Sequence, residues 1–376
     1  MNKKKPAISC TSLVNGRVSL VVPCHNVEAY FGDFLQSVLE QNWHDLEVIL
    51  VNDGANTATT YTLRKAVPRL QAQGWNVKLI EQANKGLGGA VDAGLKQVSG
   101  EFLMWPDPDD WLLPNSIARR VELMRGHPDV GLLRSNCQLF IEAEQEFDGH
   151  FMPTNQPARR VPEIFEDLVY QRFFFAPVCH FVRCDMFWQV HPDRSIWYSP
   201  ASSQNFQLLV PFVERFPVLQ VPEPLAVYRV REDSRSRANT KTPERLMSRH
   251  EQLYELTLHT LPKLGTYTPN RAARLQNQHW RNKMLPTAIR GKMMARGLDL
   301  ILKADLPSWR KAVARACFKL RCNSALDAVD ARTGRVLSRV LARTLDAAVR
   351  MPEHEAIWGT GPLWDAAGSR RKKAAA

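Results

Sequence analysis

Two short, β-branched apolar runs, Arg17 to Cys24 (RVSLVVPC) and Leu46 to Asp53 (LEVILVND), bracket a stretch with apolar residues at helical spacing, Phe34, Val38 and Leu39 in GDFLQSVLEQ. Continuous apolar runs of this length fit strands buried on both faces, and that burial requires helices to cover the sheet. Two further strands, NVKLIEQ and EFLMW, come next, with helical segments from Thr59 to Gln73 and from Gly89 to Val98. Strands that alternate with helices predict an α/β fold with a mostly parallel sheet flanked by helices. Ligands of such sheets sit beyond the carboxyl ends of the strands. His25, Asp53, Lys85 and Asp107 all fall at these ends, so one polar rim is expected.

The last of these residues opens the stretch richest in chemistry, Asp107-Pro108-Asp109-Asp110 in GEFLMWPDPDDWLLPNSI, between a predicted strand and a predicted helix. Carboxylates at i and i+2 beyond a strand can share one divalent cation. Oxygen ligands in that number suit Mg²⁺ or Mn²⁺ and leave positions for substrate phosphates. Taken alone, the cluster also reads as a solvated turn with an Asp cap. Upstream, Asn84-Lys85-Gly86-Leu87-Gly88-Gly89 opens a helix, where glycines admit a ligand to the backbone and helix N–H groups face anionic oxygens. It lacks the placement of a dinucleotide fingerprint, which follows a first strand.

In that order, VSLVVPCHNVEAYFGDFLQSVLEQ, VILVNDGAN, NKGLGGAVDAGL and GEFLMWPDPDDWLLPNSI resemble the donor-binding half of the inverting family 2 glycosyltransferases of the GT-A fold, of the bacterial surface-polysaccharide type. The likeness covers roughly residues 18 to 240, with VPEPLAVYRVREDS at 221–234 closing the catalytic domain. It implies a GT-A catalytic domain at 17–240 behind an N-terminal tail of 1–16. The implied reaction moves a sugar, with inversion, from a nucleotide-diphosphate sugar, by resemblance a UDP-sugar, to a glycan or lipid-linked acceptor. The setting implied is cell-surface polysaccharide or lipopolysaccharide biosynthesis.

Asp53 matches the position that accepts the uracil imide N–H, and Asn52 stands where the family often has a second Asp. Pro23, His25, Asn26 and Glu28, with Lys85, Gly88, Asp107 and Pro108, complete the implied donor contacts. By the same resemblance Asp107 approaches the ribose and the metal, while Asp109 ligates Mn²⁺ or Mg²⁺ and bridges to the diphosphate. Asp110 is expected to cap the helix beginning near Pro114 or to orient its neighbours. Many members carry Arg where this chain has Val91, and Lys85 could supply that cation.

Two departures stand out. Inversion needs an acceptor hydroxyl that loses its proton as the bond forms, and many members supply a carboxylate in a Glu-Asp pair. Here the matching positions are Gln204 and Asn205, and an amide takes no proton at neutral pH. Three readings are open. His180, in PVCHFVRCDMF, serves as base, with Asp110, His191 and Asp193 as further candidates; or Gln204 and Asn205 orient the hydroxyl while metal and positioning do the rest; or transfer is lost. The second departure is Tyr228-Arg229-Val230-Arg231, where many relatives read Tyr-Arg-x-His. Arg231 cannot ligate a cation, but its fork of donors can bind phosphate, which would weaken metal dependence; the plainer reading is a surface Arg.

The chain has 376 residues and a formal charge of +12, with 26 Lys+Arg against 11 Asp+Glu in residues 241–376 alone. The basic character therefore belongs to the C-terminal third. Helical patterns dominate there. In SWRKAVARACFKL, Trp309, Val313, Ala316 and Leu320 share one face; in ARTGRVLSRVLARTLDAAV, Val336, Leu337, Val340, Leu341 and Leu345 form a stripe beside Arg332, Arg335, Arg339 and Arg343. Such helices pack their stripe on a domain and leave charges solvated, or present a basic surface to anionic lipid. No nucleic-acid motif accompanies the charge, so nucleic acid is not an expected partner. Seven scattered cysteines without CxxC spacing, no apolar h-region and no run of eighteen apolar residues lead to the expectation of a cytoplasmic protein, peripheral on the inner face of the plasma membrane. The contrary reading is a catalytically silent nucleotide-sugar-binding homologue that docks on the membrane surface.

Overall fold

The computed structural model describes residues 12–169, 176–198, 204–232, 234, 242–279, 283–303, 306–322, 340, 341, 343–345 and 347. Cα proximity divides them into two units, one running to Arg231 with Lys263–Gly265, the other made of Glu232–Pro262 and the residues from Thr266 on.

In the first unit the four anticipated strands are β1 (Val14–Cys24), β2 (Leu46–Asp53), β3 (Asn76–Gln82) and β4 (Gly100–Met104), separated by helices α1 (Phe31–Leu39), α2 (Thr57–Gln71) and α3 (Gly86–Leu95). They lie in the order β3-β2-β1-β4, all parallel. All of β2 and β1 from Val18 on are buried, as continuous apolar runs require. Each fully buried Val, Leu or Ile side chain contributes about 1.5–3 kcal/mol. Pro23 is one of these buried strand residues rather than a rim residue. It lies opposite Val51, past the Leu20–Met104 pair where β4 pairing ends, so its missing N–H leaves that ladder whole.

Beyond β4 the spatial order departs from chain order. Next come β9 (His180–Arg183), β6 (Leu132–Ile141), β10 (Val218–Val230) and β5 (Trp111–Leu112), while β7 (Glu146–His150) pairs with β6 and β8 (Arg159–Arg160) with β10. Strand β9 runs antiparallel to β4 and β6, β10 runs parallel to β6, and β5 is antiparallel to β10. Helices α4 (Ser116–Gly126), α5 (Glu163–Val169), α6 (Cys184–Val190) and α7 (Asn205–Arg215) complete the unit. Two-residue β5 positions the site. By pairing Trp111 with Val227, it returns the chain from the acidic cluster onto the end of β10.

The second unit is helical: α8 (Pro243–Thr260), α9 (Pro269–His279), α10 (Leu285–Arg290), α11 (Met294–Lys303) and α12 (Ser308–Cys322). Met247, Leu285, Ala288, Ile301 and Phe318 are buried in its core. A Cβ at Gly297 would lie 1.7 Å from Phe318 Cζ, so α11 meets α12 at a distance that needs glycine. On α12 the buried positions are Ala314, Cys317 and Phe318, while Trp309 is 65% and Leu320 51% exposed. The face read as Trp309, Val313, Ala316 and Leu320 is therefore not the packed one. Three apolar positions one helical step round carry the core contact, which leaves Trp309, Ala316 and Leu320 outside beside Arg315 and Lys319. Leu341 and Leu345 are buried, Val340 is exposed, and Val336, Leu337, Arg332, Arg335 and Arg339 lie outside the described residues. Among the described residues no helix is long and apolar enough to cross a membrane.

Candidate active site

The rim is assembled by a close approach of two strand ends. Gly54, at φ +60°, turns the chain after β2, and a Cβ there would lie 2.5 Å from the Asn84 amide nitrogen. Only glycine combines that φ with that contact. The Asp53 carboxylate is buried, and its Oδ1 accepts the Lys85 N–H and a Gln82 Nε2 hydrogen, each at 2.8 Å. His25 donates from Nδ1 to the Asp53 carbonyl at 2.9 Å; since a carbonyl only accepts, this fixes the tautomer and leaves Nε2 as acceptor, 3.4 Å from Asn84 Nδ2. His25, Asp53 and Lys85 are thus brought together, and exposed Asn84 joins them.

Asn52 braces the turn from behind, donating to Thr60 Oγ1 at 3.0 Å and accepting the Ala55 N–H at 3.1 Å. Asn26 and Glu28 bond to the start of α2, while Asn26 Nδ2 stays 3.4 Å from His25 Nε2. Asn26, at φ +52°, accepts the Asn56 N–H at 2.8 Å. Glu28 accepts the Thr59 hydroxyl and, at 2.8 Å, Asn56 Nδ2. Those bonds, Thr59 first, hold its carboxyl below the usual range. Both residues tie the β1 loop to the start of α2, Asn26 by accepting an orphan backbone N–H there and Glu28 by accepting two side-chain hydrogens. Gly88 is buried in the first turn of α3.

At the far end of the rim, the Asp110 N–H donates to the Asp107 carbonyl at 3.2 Å, closing a turn with Pro108 at its second position. Asp107, Asp109 and Asp110 each offer an oxygen within 4.8 Å of the others. Asp110 is 1% exposed; Oδ1 accepts the Arg229 backbone N–H at 2.9 Å, whereas Oδ2 has no hydrogen-bond partner among the described residues. Burial, then repulsion from Asp109 and Asp107, raises its carboxyl well above the usual range. Asp110 caps no helix: Asn115 is the N-cap of α4, with no side-chain cap bond. A buried, orphaned acceptor between two like charges fits a divalent cation, which would relieve that repulsion. Asp107, Asp109 and Asp110 are the residues that could hold one.

Two arginines close the cluster. Arg229 is buried, ion-paired to Asp33 and Glu142, and donates from Nε to the Asp109 carbonyl at 3.0 Å. Its guanidinium lies 4.7 Å from the Trp111 ring centre and 5.2 Å from that of Tyr30. Arg231 Nη2 donates to Asp109 Oδ2 at 2.6 Å, with its guanidinium 4.3 Å from the Tyr30 ring centre. The plain surface reading of Arg231 is therefore set aside.

The acid-to-amide positions sit at the start of α7. Asn205 Oδ1 accepts from Trp105 Nε1 at 2.8 Å, and Trp105 lies two residues before Asp107. Gln204 is buried, with neither amide atom hydrogen-bonded among the described residues. His180 is not placed for the base role: it is 0% exposed, and burial, reinforced by Arg134 and Arg120, pushes its pKa well below the usual value. An acceptor hydroxyl arriving from solvent does not reach it.

His191 is equally interior. Its Nε2–H donates to the Leu208 carbonyl at 2.9 Å, and burial lowers its pKa to about 4. Asp193 is exposed. Because an unfolded chain's His titrates at about 6.5, the unfolded state binds the extra proton first. Stability conferred by neutral His191 is complete above about pH 6.5 and lost as pH falls toward about 4, roughly 3 kcal/mol for a shift of that size. His191→Gln is expected to flatten this acid limb when urea midpoints are compared at about pH 7 and about pH 4.5.

Four residues at the site escaped the sequence reading: Tyr30, Asn84, Trp105 and Arg229. Asn84 and Arg229 lie inside motifs already quoted, and only the fold shows that exposed Asn84 faces His25 and that Arg229 is buried. Tyr30 and Trp105 look like ordinary apolar positions until two arginines and an asparagine are found against them.

The sequence profile of glycosyl transferase family 2 matches residues 19–190. Among curated proteins, an uncharacterised glycosyltransferase of Nostoc sp. is 31% identical over 40% of this chain and 44% of its own length. Glycosyltransferase GlyA of Streptococcus pneumoniae is 32% identical over 37% of this chain and 19% of its own. The chain thus spans less than half the length of these relatives. Residues 1–349 of S. aureus TarS, solved with UDP-GlcNAc, superpose over 89% of each chain with a TM-score of 0.54 at 17% identity, a likeness of fold.

Proposed function

We propose that this chain, whose residues 19–190 match glycosyl transferase family 2, is a glycosyltransferase with a GT-A-like α/β domain, and that the rim from His25 to Asp109 binds a nucleotide-diphosphate sugar and transfers its sugar with inversion. The observation that carries the proposal is that β2, β1 and β4 are adjacent and parallel, so their carboxyl ends share one edge of the sheet, with the His25–Asp53–Lys85 cluster beyond β1 and β2 and the three carboxylates with Arg231 beyond β4. Asp53 receives the base, and the Lys85–Gly88 helix start and Lys85 side chain face the ribose diphosphate. Asp107 and Asp109 hold Mn²⁺ or Mg²⁺, which when bound supplies positive charge against the departing diphosphate. On the acceptor side, Asn205, half-buried and fixed by Trp105, orients the attacking hydroxyl by hydrogen bonds, with buried Gln204 behind it at the start of α7. With His180 interior, positioning carries more of the rate than proton abstraction.

A UDP-sugar is the first donor to test, since TarS, which shares the fold, is solved with UDP-GlcNAc. The purified protein, given UDP-, GDP-, dTDP- and CMP-sugars with Mn²⁺, is expected to release nucleotide slowly by hydrolysis from one donor class alone. Release from none would favour the silent binding reading.

The acceptor is proposed to be a lipid-linked or surface glycan met at an anionic membrane face. Supporting this, α12 exposes Trp309 and Leu320 beside Arg315 and Lys319, an aromatic and aliphatic ridge next to cations as interfacial helices present. The protein is expected to co-sediment with phosphatidylglycerol vesicles and not with phosphatidylcholine. Trp309→Ser with Leu320→Ser should weaken that binding by roughly 10-fold, and equal binding by the variant would remove α12 from the contact.

A further inference from the structure

We propose that Arg231 is the resident counter-cation of the acidic cluster when no nucleotide is present, and that it transfers to the diphosphate on loading, so that divalent ion and nucleotide bind as a coupled pair. This rests on the donor-site reading above. Arg231 Nη2 lies 2.6 Å from Asp109 Oδ2, so a carboxylate oxygen that could ligate an ion is already paired. A bare divalent ion binding Asp109 must displace that pair or tolerate a guanidinium beside it. Either lowers its affinity.

A diphosphate changes the balance, because its oxygens can lie between the two cations and accept from the guanidinium fork. The Arg231 side chain is 18% exposed, so an incoming anion can reach it, whereas that of Arg229, over the same Tyr30 ring, is 5% exposed. Two guanidiniums against one ring repel each other, and an incoming anion relieves that repulsion as well. Arg231 thus becomes a device for order: metal does not fill the site ahead of nucleotide. Coupling is reciprocal, so UDP must tighten Mn²⁺ by the same factor that Mn²⁺ tightens UDP.

The test titrates Mn²⁺ by the paramagnetic resonance signal of the free ion, with and without UDP, in the wild type, Arg231→Gln and Arg231→His. The wild type is expected to bind Mn²⁺ weakly alone and roughly 10-fold or more tightly with UDP. Arg231→Gln is expected to bind Mn²⁺ about 10-fold tighter than wild type without nucleotide, and to lose most of the coupling. Arg231→His, which supplies an ion ligand, should bind tighter still. Unchanged Mn²⁺ affinity and unchanged coupling in both variants, with UDP still bound, would overturn the role of Arg231 alone. Absence of UDP binding in the wild type would instead overturn the donor reading and the inference with it.

Discussion

Asp109→Ala is expected to lower sugar transfer by about three orders of magnitude, roughly 4 kcal/mol of transition-state stabilisation. The carboxylate occupies the centre of the proposed chemistry: it is one of three that can share a cation, and Arg231 is paired to it at 2.6 Å. Truncation removes the ion ligand and releases the guanidinium. Charge developing on the leaving diphosphate then loses its fixed counter-charge. Asp109→Asn keeps the shape and one acceptor oxygen but not the charge, and should fall nearly as far. Vesicle binding through α12 should be unchanged in both variants. A loss of less than about 10-fold in transfer would remove Asp109 from the reaction.

Arg229→Ala is expected to destabilise the first unit by about 3 kcal/mol, because the truncated group is a buried, multiply bonded cation. Its partners are unequal. The Asp33 side chain is 63% exposed and can turn to water, so that pair contributes little on its own. The Glu142 side chain is 30% exposed, and the Asp109 carbonyl and the Trp111, Tyr30 and Phe140 rings all lose a close neighbour. Arg229→Lys should recover only part of the loss, since an ammonium cannot bridge two carboxylates and a carbonyl at once. Urea denaturation read by Trp fluorescence gives the difference directly; a change under about 1 kcal/mol in Arg229→Ala would show the network to be loosely held. Activity should fall with stability, because the same side chain fixes the Asp109 backbone.

The parallel half of the sheet was legible because its apolar runs and helical spacings are local signals; β2 and β3 form at the residues whose patterns announced them. The chain beyond the acidic cluster was less legible. Strands β5 and β8 are two residues long, and the crossing of β9 between β4 and β6 is a long-range choice that no periodicity encodes. In the site, His25, Asp53 and Lys85 come together as their places at strand ends suggest, while the hydrogen-bond partners of other motif residues were not legible. Glu28 and Asn26 look like ligands in a motif, yet the Glu28 carboxylate and the Asn26 oxygen bond to the start of α2. His180 has the right chemistry in the wrong place, since a strand residue's exposure depends on what covers the sheet. On α12 an error of one helical step exchanged the packed face for the exposed one, as several small and apolar residues offered two plausible stripes.

The most direct measurement is calorimetric binding of UDP to the wild type, Asp53→Asn and Asp109→Ala, each with and without Mn²⁺. If the rim is one donor site, wild type binds UDP more tightly with Mn²⁺. Asp53→Asn, which keeps an acceptor for the Lys85 N–H but turns an acceptor toward the base into a donor, weakens UDP with or without the ion. Asp109→Ala abolishes the metal effect alone. Binding that ignores both substitutions, or no binding of any nucleoside diphosphate, would contradict the assignment of the rim from His25 to Asp109 as a nucleotide-sugar site.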